Sequence, residues 1–244
     1  MRCALASMGF INENVTFNKN VIVDTMIKYS GDADIVIFGE AFLQGFYAAT
    51  FDVEHDYKIA IRQDDLIIKD ICSVAKEYVI AISFGFIEKV DDVFYSSQIT
   101  IDTDGQVIDL YRRVSPGWKE PFASEQYREG KGFHTFTFMN RKIVVGLCGD
   151  LWFDENVCEV VQLHPDIVFW PVYTDFNYKK WNETIKYEYA AQAGKICEKV
   201  LYVNPLCIDK AEEDIAKGGS ALFIDGKIER EIPAGKEDVL VVEV

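Results

Sequence analysis

The feature that most constrains this chain is a cadence of short apolar β-rich runs, some joined as hairpins and others preceded by helical patterns. RCALASMG (2–9), DIVIFGE (34–40) and VIAISFGFIEK (79–89) read as strands, the second ending in an acid. VFYSSQITID and QVIDLYRR flank an Asp104-Gly105 turn, a strong short-range hairpin signal. HTFTFMN pairs with RKIVVGLC, and DIVFWPV, VLYVNPLC, SALFIDG and DVLVVEV complete the strand set. Apolar spacing predicts helices over 17–29, 63–77, 154–163 and 181–199, and turn formers mark 114–132 as a loop. Roughly a dozen strands against about four helices is too many for a doubly wound sheet, which needs one helix per crossover. Two packed sheets with helices outside fit better. No linker, repeat or low-complexity tract interrupts residues 1–244, so a single domain is expected.

Charge and rare residues narrow the chemistry. With 25 basic and 40 acidic side chains the formal charge is −15, which opposes nucleic-acid backbones and anionic lipid. No run of Lys or Arg offsets it, so neither a nucleic-acid nor a membrane partner is expected. No stretch approaches the ~20 apolar residues of a membrane span, and the start MRCALASMGFINEN is too short for a signal-peptide core. The six cysteines are scattered without a C-x-x-C pair, which suits free thiols in a cytoplasmic protein. The three histidines, His55, His134 and His164, show no metal-ligand spacing. Neither a metal nor an organic cofactor is expected.

Cys148 follows the apolar strand 143–147 and precedes Gly149-Asp150. A small residue after a strand-end thiol allows a sharp turn and exposes an N–H beside the sulfur, the arrangement an oxyanion needs. The competing reading is a buried structural cysteine. Glu40 ends DIVIFGE, where an unpaired acid is costly to bury and burial lifts its pKa toward that of a general base. A solvated acid at a strand end is the alternative. Tyr111-Arg112-Arg113 places fixed cations at another strand end, suited to anionic charge or simply to a surface. Glu125 and Glu129 default to solvated loop acids.

Together these stretches resemble the carbon–nitrogen hydrolase, or nitrilase, superfamily. GDADIVIFGE (31–40) is similar to its glutamate segment, LYRRVSPGW (110–118) to its Y-R-K-x-H-L motif, and GLCGDLWFDE (146–155) to its C-x-D-x-x-F motif. Glu125-Gln126-Tyr127 before Gly130 resembles the E-K-F…G segment. FYSSQITIDTDGQVIDLYRR and GGSALFIDGKI resemble two further family segments, in the same order along nearly the whole chain. The resemblance implies a four-layer α-β-β-α sandwich, a homodimer, and hydrolysis of a small amide, N-carbamoyl compound or nitrile through a cysteine thioester. Glu40 would be the general base, Cys148 the nucleophile and Glu125 the orienting glutamate. The Gly149 N–H would face the oxyanion, and Trp152 would line the pocket.

The departures matter. Gly39 replaces the usual proline, Ser96 the usual asparagine, and Arg113 stands at the catalytic-lysine position, followed by Val114-Ser115. Guanidinium keeps the charge but is larger, planar and never deprotonated. Lys119, six residues on in the loop, is the other candidate cation. A poised thiolate would make Cys148 the most electrophile-reactive of the six thiols. The stretch 146–150 also imitates an α/β-hydrolase nucleophile elbow. That fold needs a histidine well downstream, whereas His164 follows Cys148 by only sixteen residues. The remaining rival is a member that keeps the pocket and binds a ligand or partner without turnover.

Overall fold

A computed structural model describes residues 1–209 and 215–244. In chain order its elements are β1 (Arg2–Ser7), β2 (Gly9–Phe10), α1 (Val15–Tyr29), β3 (Ile35–Phe38), α2 (Val53–Ile59), α3 (Leu66–Tyr78), β4 (Ala81–Val90), β5 (Val93–Ile101) and β6 (Val107–Arg112). They continue with β7 (Phe136–Phe138), β8 (Arg141–Val145), α4 (Asp154–Gln162), β9 (Ile167–Pro171), α5 (Tyr178–Lys180) and α6 (Lys186–Ala193). The remainder are β10 (Lys199–Val203), β11 (Leu206–Cys207), β12 (Ser220–Ile224), β13 (Lys227–Ile232) and β14 (Asp238–Glu243).

Two six-stranded sheets run β14-β1-β3-β4-β5-β6 and β13-β12-β10-β9-β8-β7, with a small β11-β2 pair beside them. Strand alternation decides what each face meets. Cys3, Leu5, Ile35 and Ile37 turn toward the second sheet and join a core with Val145, Phe169 and Leu201. Their neighbours Ala4, Ala6, Val36 and Phe38 pack outward on Ile22 and Met26 of α1 and Ile68 and Ile71 of α3. On the far side of the second sheet, Val157 and Val160 of α4 and Tyr189 of α6 complete the cover. The result is the four-layer α-β-β-α sandwich. Among the described residues no helix is long and apolar enough to cross a membrane.

The helix expected over 181–199 is displaced. Helical structure begins earlier, at Tyr178, where the Asn177 side chain accepts from the Lys179 N–H. It passes through a π turn at Trp181–Ile185 and stops at Ala193. There Gly194 lies so close to Gly226 that a Cβ would sit 2.7 Å from its Cα, and Lys199 already belongs to β10. Sequence patterning misses α2, whose seven residues are too few to show a period, and β13, whose KIEREI pattern is largely polar because most of it faces solvent.

Buried thiols give the fold a pH dependence. Burial pushes the Cys3 thiol up to about 12 and the Cys207 thiol up to about 11. Above the unfolded-chain value of about 8.5 the unfolded state binds fewer protons than the folded one, so stability falls as pH rises. Urea unfolding between pH 9 and pH 11 is therefore expected to lose about 1.4 kcal/mol per pH unit per buried thiol. Cys3→Ala should flatten that slope; an unchanged slope would show that the thiol does not carry it.

Candidate active site

Four loops meet where β3, β6, β8 and β9 end. Glu40 follows β3 by two residues on the strap Gly39-Glu40-Ala41. The strap is pinned by the Glu40 N–H, which donates to the Val172 carbonyl beyond β9 at 3.1 Å, so it bridges the two sheets. Close packing requires glycines here. A Cβ at Gly85 would stand 2.3 Å from the Ala41 nitrogen, and one at Gly39 would stand 2.4 Å from Pro205. The second contact explains the departure from proline at position 39.

The Glu40 side chain is 1 % exposed. Its Oε1 accepts from Ser96 Oγ at 2.8 Å and from Arg113 Nη1 at 2.9 Å, while Nη1 lies 3.2 Å from Oε2. Arg113 is itself buried, and its Nε donates to Ser115 Oγ at 3.0 Å. Its Nη2 has no hydrogen-bond partner among the described residues. A Cβ built at Gly149 would approach Nη2 to 2.9 Å, and one at Gly117 to 3.0 Å. The guanidinium thus spans from the carboxylate to the backbone beside the thiol. The Glu40 carboxylate raises the Arg113 pKa against the desolvation that lowers it.

Cys148 opens a 3₁₀ turn, Cys148–Trp152, at φ 45°. A non-glycine residue in this left-handed region costs on the order of 1–3 kcal/mol and persists only where its surroundings enforce it. Here they do. Trp170 Nε1 donates to the Cys148 carbonyl at 2.9 Å, and Asp150 accepts from the Leu147 N–H at 3.0 Å. The thiol points to the Tyr173 carbonyl, 3.4 Å away. Burial and then the Glu40 charge push the thiol up to about 12, partly opposed by Arg113. Both effects disfavour the thiolate that the sequence reading expects. A base must take its proton as it attacks.

Asp150 went unassigned in the sequence, and it holds the whole arrangement. Fully buried, it accepts from Tyr111 Oη (2.6 Å), the Ser115 N–H (2.7 Å), the Val114 N–H (3.2 Å) and the Leu147 N–H. It ties the cysteine turn to the loop carrying Arg113. Burial raises its own carboxyl pKa against the hydrogen bonds that lower it. Asp150→Ala would orphan four donors, so a loss of about 3–5 kcal/mol is expected in urea unfolding. A loss below about 1 kcal/mol would show that water replaces the carboxylate cheaply.

Three sequence candidates lie elsewhere. Glu125 is exposed, and among the described residues it contacts none of Glu40, Arg113 or Cys148. Its segment is tied to the outside of the first sheet by the Phe94 N–H donating to the Gln126 carbonyl, which turns the carboxylate to solvent. The guanidinium is oriented instead by Ser115. Lys119 Nζ donates to the Tyr127 carbonyl at 2.7 Å and pairs with Glu129 at 2.7 Å, away from the cluster. Trp152 is 40 % exposed and packs edge-on against Tyr189 beside Trp170. Among the described residues no three His, Cys, Asp or Glu side chains are grouped to hold a metal ion.

Comparison with known proteins follows the same lines. The N-carbamoylputrescine amidase of Arabidopsis thaliana is 29 % identical over 167 residues, covering 66 % of this chain and 54 % of that protein. The chain thus spans about half the length of the curated relatives it matches. Among solved structures, a cysteine-to-alanine variant of the Nesterenkonia AN1 amidase from the nitrilase superfamily superposes with TM-score 0.82 at 17 % identity, over 100 % of this chain and 90 % of that one. Another variant of that amidase carries the acetamide moiety of fluoroacetamide covalently at its active-site cysteine. A glutamine-dependent NAD+ synthetase from Acinetobacter baumannii superposes with TM-score 0.76 at 22 % identity, over 98 % of this chain and 44 % of that one. The carbon-nitrogen hydrolase family model matches residues 8–244, and the chain belongs to that family.

Proposed function

We propose that this chain hydrolyses a non-peptide carbon–nitrogen bond in a small amide or N-carbamoyl compound, with nitriles as the rarer case, through a Cys148 thioester. The observation that carries this reading is the buried Glu40–Arg113 ion pair set beside a conformationally strained cysteine. Glu40 takes the thiol proton as sulfur attacks the carbonyl carbon. The carbonyl π electrons move to oxygen, which meets the Gly149 N–H and the free Nη2 of Arg113. The oxyanion collapses, the carbon–nitrogen bond breaks, and Glu40 returns its proton to the leaving amine. Water, deprotonated by Glu40, then attacks the thioester and restores the thiol. Covalent capture at the cysteine of the Nesterenkonia amidase supports the nucleophile assignment.

The setting that suits free thiols is the cytoplasm. A homodimer belongs to the same reading, and its interface would cover exposed aromatics such as Trp152, Phe153, Tyr178 or Tyr187. A second reading, ligand binding without turnover, draws on one feature. A permanently charged guanidinium grips both oxygens of the base and would have to release one for the carboxylate to reach the thiol. Ammonia release across a panel of amides, N-carbamoyl amines and nitriles separates the two. Release from at least one compound is expected, and it should vanish in Cys148→Ala. Binding of panel members without release from any would favour the second reading.

A further inference from the structure

One charged recess near the site-forming strands lies apart from the thiol. It lies against the opposite face of β6, where side-chain alternation sends Leu110 and Arg112 away from Tyr111 and Arg113. The cavity, about 430 Å3, is lined by Tyr95, Leu110, Arg112, the loop Arg128–Gly132, and His134. Four of its side chains are basic or protonatable in a chain of net charge −15, and its one carboxylate, Glu129, is paired with Lys119.

The cations differ in how they are held. Arg112 is fixed, with Nε and Nη2 on the buried Glu88 at 2.7 and 2.9 Å and its plane stacked 4.2 Å over Tyr95. Lys131 makes no hydrogen bond or ion pair among the described residues, and Arg128 uses only Nε, on the Glu125 carbonyl. His134 Nε2 lies 2.7 Å from Asp109, which raises the imidazole pKa. The loop backbone contributes as well. Gly130 hugs β6 so closely that a Cβ would stand 2.3 Å from the Arg112 carbonyl, and its N–H donates to the Arg113 carbonyl at 2.8 Å. The Lys131 and Gly132 amides that follow donate to nothing within the described chain. Free amides on a glycine-flanked loop, between fixed and mobile cations, form a recess for anions.

We propose that this cavity binds a small multivalent anion carrying phosphate or carboxylate groups, at a site separate from the thiol. Calorimetric titration of the full chain with pyrophosphate and with citrate, at constant ionic strength, tests this and distinguishes the two anion classes. Saturable binding of at least one is expected. Arg128→Ala/Lys131→Ala, both exposed positions, should weaken it at least tenfold, and Cys148→Ala should leave it unchanged. No saturable binding, binding indifferent to the double variant, or binding lost in Cys148→Ala would each overturn the proposal. So would capture of a single-stranded oligonucleotide with no response to the small anions.

Discussion

Cys148→Ala is expected to lower kcat by at least ~10⁴-fold, the scale on which loss of a covalent nucleophile acts. Among the described residues the nearby serine hydroxyls are engaged: Ser96 donates to Glu40, and Ser115 accepts from Arg113 Nε. The substitution is also clean. Alanine keeps the backbone at φ 45°, the turn retains its Trp170 and Asp150 contacts, and no buried charge loses its partner. Stability should therefore stay within about 1 kcal/mol of the parent. Glu40→Gln would be a poorer test, since it leaves the Arg113 guanidinium buried without its counter-charge, a change worth about 3–5 kcal/mol in itself. Intact-protein mass spectrometry supplies the second readout. A slow amide should leave an acyl adduct on the parent and none on Cys148→Ala. Retention of turnover within about tenfold would place the nucleophile elsewhere.

A thiol pKa raised by burial alters how Cys148 should be recognised. A thiol held near 12 offers only a minute thiolate fraction to simple alkylating reagents, so exposed Cys158 should be labelled first by a reagent with no carbonyl to engage the site. Faster labelling of Cys148 by such a reagent would show that its proton already resides elsewhere at rest.

The strands were legible because their burial follows a period of two or a continuous apolar run, and 34–40 and 141–148 carry that signal in their residue types. The Asp104-Gly105 hairpin was legible from turn chemistry alone. What stayed hidden was determined by contacts distant in sequence. The end of α6 depends on Gly194 meeting Gly226, and the capped turn at α2 is shorter than any window that shows helical spacing. The same division holds in the site. Glu40 and Cys148 sit where strands end, which local sequence reveals. Asp150 acts through Tyr111, Val114 and Ser115, more than thirty residues earlier, and only folding brings them together. Glu125 was misleading for the same reason. The resemblance to the family's E-K-F…G segment implied an active-site acid, and the loop's bond to Phe94 leaves it exposed.

Arg113→Ala is expected to be damaging twice over, and Arg113→Lys much less so. Removing the guanidinium strands the buried Glu40 carboxylate, a loss of about 3–5 kcal/mol in folding stability. On the proposed mechanism it also removes an oxyanion donor, a loss of about 10²–10³ in kcat. Lysine keeps one charge and can still reach Glu40. It gives up the Nε bond to Ser115 and the Nη2 contact over Gly149, while its compact ammonium is easier to redirect toward substrate oxygen. Amidase activity in Arg113→Lys should therefore be retained within about tenfold of the parent or exceed it. Lys119→Ala is the control: that ammonium is spent on Glu129 and the Tyr127 carbonyl, away from Glu40 and Cys148, so kcat should stay nearly unchanged. If Lys119→Ala instead cost more turnover than Arg113→Ala, the loop would have to swing in during catalysis, and the guanidinium would be a structural counter-ion for the base.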